Sequence, residues 1–290
     1  MKYGIGELYG KDISRMSPDD IRQWASQDQK YAKCPFKART SEGDLRPCNK
    51  SGGVCSLRHY SRNPTGEIEM DGPPTATCPC RFLEGEVVSQ WVGEVILNCS
   101  RPIAVTEVPF LISTKAGEGR ARAVGKIDQV LVNPDQSGFS WCALEVQAVY
   151  FSGASMIPDL LQARNWNGPG LPPPVGNRHP DFRSSGPKRL MPQLQTKVPT
   201  ISRWGKKTAV IVDGSFWQSL SEMEEENDLS NSEIVWFVCN YEQGEKDAFR
   251  LVRGDMHFTT LRSAVNGLTG GTPVSLAVFE GLIRKKLRRL

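Results

Sequence analysis

A mixed α/β architecture, at the border of the α+β and α/β classes, is what the sequence predicts: a mixed central sheet flanked by helices, preceded by a small cysteine-rich module. Three observations carry this. The runs Gly125-Lys-Ile-Asp-Gln-Val-Leu-Val and Phe139-Ser-Trp-Cys-Ala-Leu-Glu-Val-Gln-Ala flank the turn residues Asn133-Pro-Asp-Gln-Ser-Gly, which is the pattern of a β-hairpin. Lys207–Asp213 and Glu233–Cys239 each hold a short, continuous apolar run, Ala209–Val212 and Ile234–Cys239, of the kind found in strands buried on both faces. Five of the eight cysteines lie between Cys34 and Cys80, in text rich in Gly, Pro, Asn and Ser. The division that follows is a cysteine module over residues 1–82 and a core over 83–290, with a basic, Pro/Gly-rich insertion at about 160–207.

In chain order, residues 1–16 show no strong pattern. Ser17-Pro-Asp-Asp opens a helix: Ser17 can cap it, Pro18 suits the first turn, and Asp19 and Asp20 complement the positive end of the dipole. Ile21, Trp24 and Tyr31 are its expected apolar side. The cysteine segment has little regular periodicity, so loops held by a metal are expected there. Glu84–Asn98 reads as a helix through Val87, Val88, Trp91, Val95 and Ile96. Ile103–Ser113 reads as a strand, with Pro109 marking an edge or bulge, and Gly117-Glu-Gly119 as a turn. After the hairpin the chain becomes irregular. Thr196–Trp204 could continue as a helix but for Pro199, which argues for a break. Ser215 is placed to cap a short helix carrying Phe216, Trp217 and Leu220, and Cys239 reads as a core thiol. Phe249–Val252 and Asp255–Thr259 are strand-like. Thr272-Pro-Val-Ser starts a last helix over Leu276–Leu287, whose end is cationic.

Composition narrows the function. With 290 residues, 39% hydrophobic and 23% charged, the chain suits a soluble globular protein. No apolar run approaches the ~18 residues of a membrane span, and the N-terminus lacks a signal-peptide core, so a cytoplasmic location is the expectation. In a reducing compartment clustered cysteines point to metal rather than disulfides. The net charge of +4 decides little, but Leu160–Lys207 holds nine Lys/Arg against Asp181 alone, a surface that attracts phosphate backbones. There is no P-loop and no G-x-G-x-x-G, and the three histidines form no triad pattern. The sequence has no internal repeat.

The chemistry concentrates on the hairpin. Alternation places Glu145 and Gln147 on one face and Cys142, Leu144, Val146 and Ala148 on the other. Folding about a turn centred near Gln136 or Ser137 brings Asp128 opposite Glu145, with Cβ atoms roughly 5 Å apart. Carboxylates that close repel unless a cation lies between them, and Mg²⁺ takes oxygen ligands. Glu107, on the preceding strand, is a candidate third carboxylate. In the module, four thiolates suit Zn²⁺ or Fe, but five cysteines offer themselves for four places, and Cys78 and Cys80 compete for the last.

The Asp…Glu-x-Gln arrangement resembles the PD-(D/E)xK nuclease core, with Gln147 where a Lys usually stands. Taken in order, Cys34-Pro-Phe, Cys48, Gly53-Val-Cys55, Cys78-Pro-x-Arg81, the Glu107 region, Asp128 and Leu144-Glu-Val-Gln147 followed by Phe151 resemble the NotI-type restriction endonucleases. The likeness is dense over residues 34–153 and thin beyond. It implies a PD-(D/E)xK fold, Mg²⁺-dependent hydrolysis of double-stranded DNA, a homodimer on a palindromic target and pairing with a cognate DNA methyltransferase. It also implies a four-cysteine iron site on Cys34, Cys48, Cys55 and Cys78, leaving Cys80 free; zinc has the same ligand preference. The catalytic set it implies is Asp128, Glu145 and Gln147, with Glu107 assisting. Lys126, two residues before Asp128, could supply the charge that Gln147 lacks. The competing readings are a non-catalytic, metal-stapled DNA-binding protein, and a defence or repair nuclease that recognises structure rather than sequence.

Overall fold

The structure is a computed structural model that describes residues 2–113, 122–135, 139–153, 155–244, 248–271 and 274–287. Its elements in order are β1 (Lys2–Leu8), β2 (Lys11–Asp12), α1 (Pro18–Ala25), β3 (Val54–Arg62), β4 (Ile68–Ala76), α2 (Val87–Leu97), β5 (Ile103–Ser113), β6 (Arg122–Asn133) and β7 (Ser140–Val146). There follow β8 (Phe151–Ser152), α3 (Ile157–Arg164), β9 (His179–Pro180), α4 (Phe182–Ser185), α5 (Met191–Arg203), β10 (Thr208–Asp213), α6 (Gly214–Gln218), β11 (Ile234–Gln243), β12 (Phe249–Thr259), α7 (Leu261–Thr269) and α8 (Leu276–Leu287).

The strands form a six-stranded sheet, ordered β12-β11-β10-β7-β6-β5, a four-stranded sheet, ordered β2-β1-β3-β4, and a two-stranded pair, β8-β9. In the larger sheet β10 runs parallel to both β7 and β11, and the other neighbours are antiparallel. The mixed sheet is therefore as expected. Ala209–Val212 of β10 and Ile234–Cys239 of β11 are continuously apolar because both faces are covered there. Ala209, Ile211, Val235, Phe237 and Cys239 pack with Cys142 and Leu144 against Val88, Trp91 and Val92 of α2. On the other face Val210, Val212, Ile234, Trp236 and Val238 meet Leu194 and Val198 of α5, Phe216, and Ala264 and Leu268 of α7.

The smaller sheet corrects two expectations. Residues 1–16, read as patternless, hold β1 and β2, and the cysteine segment is not loops alone, because β3 and β4 pair within it. The register of β1 on β3 shifts after Ile5, and glycines at 4 and 6 blur its alternation, so period-2 reading missed it. Ile5, Leu8, Val54, Leu57 and Tyr60 give this sheet its own core, which includes Cys34, Cys48 and Cys55.

Arg81 ties the two sheets together. Its side chain is fully buried and reaches Glu7 on β1 at 3.1 Å, Glu84 at 2.6 Å and the Phe249 carbonyl on β12 at 2.9 Å. A second tie is the Ala76 N–H donating to Asp213 at 2.8 Å.

Several local readings hold. Ser17 caps α1 by accepting from the Asp20 N–H, and β5 runs over Ile103–Ser113 on the sheet edge with a register break after Pro109. Others change. Tyr31 lies past the end of α1 and is exposed. α5 runs unbroken through Pro199, because the face carrying Leu194, Val198 and Ile201 is buried on the sheet and packing outweighs the lost backbone bond. Asp213, not Ser215, caps α6. Phe249–Thr259 is one strand, and α7, capped by Thr260, was not foreseen. The turn residues Gln136, Ser137 and Gly138, the Gly117-Glu-Gly119 turn, and Thr272 and Pro273 lie outside the described residues.

Removing the Arg81 cation while leaving Glu7 buried strands an uncompensated carboxylate. Arg81→Met is expected to lower stability by about 3–5 kcal/mol in urea denaturation. The double variant Glu7→Leu/Arg81→Met should recover much of that loss; an unchanged midpoint in the single variant would refute the role of the tie.

Candidate functional site

The paired strands β6 and β7 fix the acidic pair. Gln129 faces Leu144 and Val130 faces Ala143, so the next step of the same register sets Asp128 opposite Glu145. The neighbouring ladder brackets a third position: Thr106 faces Gln129 and Val108 faces Ile127, leaving Glu107 level with Asp128. Glu107, Asp128 and Glu145 thus form a row across β5, β6 and β7. Glu107 sits at φ 56°, a left-handed conformation that costs a side-chain-bearing residue strain and is found at functional sites more often than elsewhere.

The row meets very different surroundings. Glu145 is paired to Val210, so it points to the sheet face covered by α5, and it is 1% exposed. Leu194, Val198 and Ile201 bind α5 to that face, and Lys197, three residues after Leu194, shares it. The Lys197 ammonium lies 2.7 and 2.8 Å from the two Glu145 oxygens and 3.3 Å from Gln193 Oε1. Burial, and the neighbouring Asp128 charge, push the Glu145 carboxyl up to about 7 against the pull of Lys197. Asp128 is half-buried, whereas Glu107 is exposed. Gln147 is buried, and its amide donates to the Ala148 carbonyl.

The Lys126 ammonium, two residues before Asp128, pairs with Glu107 at 3.0 Å, and both side chains are at least half exposed. Lys197 went unforeseen because it lies some fifty residues from Glu145, within text that reads as an irregular basic insertion. Its spacing from Leu194, Val198 and Ile201 was the available signal, and Pro199 masked it. The insertion's charge is also less free than counting suggests: Lys197 is buried on Glu145, and Arg178, 1% exposed, pairs with Asp159 at 2.7 Å.

Backbone pairing gathers the cysteines as well. Cys34 N–H donates to Arg46 and Cys48 N–H to Ala32, closing a hairpin-like loop, while Thr77 and Cys78 N–H groups both donate to the Cys55 carbonyl. The Cys55 thiol donates to the Gly53 carbonyl at 3.4 Å and the Cys48 thiol to the Lys50 carbonyl at 3.9 Å, and backbone hydrogen bonds pull all four thiols toward lower pKa. The Cys80 thiol, which the resemblance leaves free, hydrogen-bonds both Cys34 and Cys78. This holds those two thiols down at about 6 and pushes Cys80 up. Burial raises Cys48, and raises Cys55 further. Among the described residues no group of three or more His, Cys, Asp or Glu side chains stands in a geometry that could hold a metal ion.

A family model described as restriction endonuclease NotI matches residues 19–251, which include the cysteines, the hairpin and Lys197. The chain belongs to the NotI restriction endonuclease family. It is accordingly an endodeoxyribonuclease, a hydrolase acting on DNA. No match was found among curated proteins. Among the described residues no helix is long and apolar enough to cross a membrane.

The raised Glu145 carboxyl has a consequence for the metal-free protein. A folded pKa above the ordinary carboxylate value means that the folded state holds the proton more tightly than the unfolded chain does. The stability this group contributes is therefore present below about pH 4.5 and lost as pH rises through about 7. In EDTA, urea midpoints of the wild type measured against Glu145→Gln should fall across that window; a pH-independent difference would show that Glu145 is ionised throughout.

Proposed function

We propose that the chain is a type II-like restriction endonuclease of the PD-(D/E)xK kind, cutting double-stranded DNA at a specific sequence in a Mg²⁺-dependent reaction. The observation that carries this reading is the register of β6 and β7, which sets Asp128 against Glu145 on the face beneath α5. The surrounding order, α2, the β5-β6-β7 meander, α5, then β10 parallel to β7, supports it.

The two carboxylates are a hard-oxygen donor set that fits Mg²⁺, and their mutual repulsion favours a cation. When bound, such an ion polarises the scissile phosphate and lowers the pKa of a water. Asp128 and Glu145 would hold it, with the Val146 carbonyl and Glu107 beside them. Gln147, a neutral amide, would orient the attacking water. Major-groove contacts would choose the sequence and phosphate contacts would position the protein. A palindromic target would call for a twofold homodimer, working in the cytoplasm beside a DNA methyltransferase that protects the host's own sites.

The cysteine module would hold structural iron or zinc. Its donor chemistry fits: soft sulfurs, each with a backbone hydrogen bond that favours the thiolate. Cys34, Cys48, Cys55 and Cys78 are the proposed ligands, and their role is to keep the loops before β3 in place rather than to carry electrons.

Unmethylated genomic DNA incubated with Mg²⁺ should yield discrete fragments, none in EDTA, and none with Asp128→Ala. A smear with the same dependence would indicate a nuclease without sequence choice; intact DNA with duplex binding retained would leave a binding protein. Elemental analysis of freshly purified protein should find about one iron or zinc per chain. Cys78→Ser should lose the metal and lower the melting temperature; full metal content in that variant would remove Cys78 from the ligand set.

A further inference from the structure

We propose that Lys197 is the cationic catalytic residue of the nuclease site, delivered by helix α5 rather than by the hairpin strand. The inference rests on the nuclease reading above and goes beyond it by assigning the charge that Gln147 cannot carry.

Helix α5 could have carried an apolar residue at position 197. Its sheet-facing positions are otherwise Leu194, Val198 and Ile201, each fully buried. A lysine among them pays for desolvation and for a long side chain held in one rotamer, and a buried ion pair seldom returns more stability than apolar residues of the same volume. Packing therefore does not account for Lys197.

The geometry points to the reacting group instead. Both Glu145 oxygens lie within 2.8 Å of the ammonium, and Gln193 approaches it at 3.3 Å. Glu145 and Gln193 thus hold the Lys197 ammonium in one place beside the acidic pair, so its charge needs no repositioning when a phosphate arrives. Lys126, the strand lysine, is occupied with Glu107 in solvent. A phosphate brought to the Asp128–Glu145 pair meets the Lys197 ammonium on the same sheet face.

In the step assigned to it Lys197 gains and loses no proton. A water oxygen bonds to phosphorus as the ester P–O bond breaks. One water proton stays on the new phosphate and the other leaves to solvent, from which the departing oxygen takes one. Lys197 stabilises the negative charge that grows on the phosphoryl oxygens meanwhile.

The test compares wild type, Asp128→Ala, Lys126→Met, Lys197→Arg, Lys197→Gln and Lys197→Met. Readouts are single-turnover cleavage of unmethylated genomic DNA across a Mg²⁺ titration, duplex binding with Ca²⁺ replacing Mg²⁺, and the melting temperature. Lys197→Gln keeps a hydrogen bond to Glu145, so it carries the test if Lys197→Met does not fold. The expected result is a roughly 10²–10³-fold slower cleavage in Lys197→Gln at saturating Mg²⁺, with duplex binding unchanged. Lys197→Arg should recover part of the rate, and Lys126→Met should lose far less of it than Lys197→Gln. Wild-type turnover in Lys197→Gln once Mg²⁺ saturates would overturn the proposal, leaving Lys197 as a structural counterion of Glu145. A parallel loss of duplex binding would overturn it too, making Lys197 a binding residue. If wild type itself fails to cut with Mg²⁺, the nuclease reading falls first, and this inference with it.

Discussion

A carboxylate can lie inside a protein only if another group offsets its charge, and Glu145 is the point at which this chain meets that constraint. The β6–β7 register gives it Asp128 as a neighbour, and the pairing with Val210 turns it toward α5 rather than toward α2. With like charge beside it and apolar side chains around it, the site is untenable without a cation. Lys197 supplies one at 2.7 Å, from a helix packed across that face of the sheet. The fold of residues 191–213 is arranged around this pair: α5 lies over β7 and β10, and β10 then joins β7 in parallel to complete the sheet.

The two faces of the large sheet divide the work. The α2 face is mostly apolar, from Leu131 and Cys142 through Ile211 and Phe237 to Leu251, and holds the sheet together. The α5 face gives up part of its packing to Asp128, Glu145 and Lys197. The smaller sheet meets the same problem of buried charge at Glu7, solves it with Arg81, and thereby joins the two sheets through one guanidinium. A guanidinium suits that task because its fixed fork can address Glu7, Glu84 and the Phe249 carbonyl together.

What could be read in the sequence was what depends on short range. The strands around Asp128 and Glu145, the buried runs of β10 and β11, the Ser17 cap and the facing of Cys142, Leu144, Val146 and Ala148 away from Glu145 all follow from local alternation or capping chemistry. Features set by distant partners were not legible. β1 is a strand because β3 pairs with it, and its glycines hide the alternation. Lys197 looked like one cation of a basic stretch because its partner lies 52 positions away, and Pro199 argued against the helix that brings them together. The module was the intermediate case. Clustered cysteines indicated that the segment has a common centre, yet only the structure brings Cys80 onto Cys34 and Cys78.

This separation also bears on what the acidic row is for. A sheet edge that served stability alone would not set Glu107, Asp128 and Glu145 level on three neighbouring strands, since like charges in adjacent positions destabilise a ladder. Nor would it hold Glu107 at φ 56°, where a glycine would be unstrained. The row grades from an exposed Glu107, through a half-buried Asp128, to a fully buried Glu145. A polyanion approaching from solvent would first meet the open end, where Lys126 stands with Glu107, and the charge-compensated end would lie deepest, beside Lys197. Such a gradient is of little use to a protein that only grips the backbone of DNA, which needs cations at the surface. It suits one that must hold a single phosphate against a fixed charge, away from water, while an ester bond is exchanged.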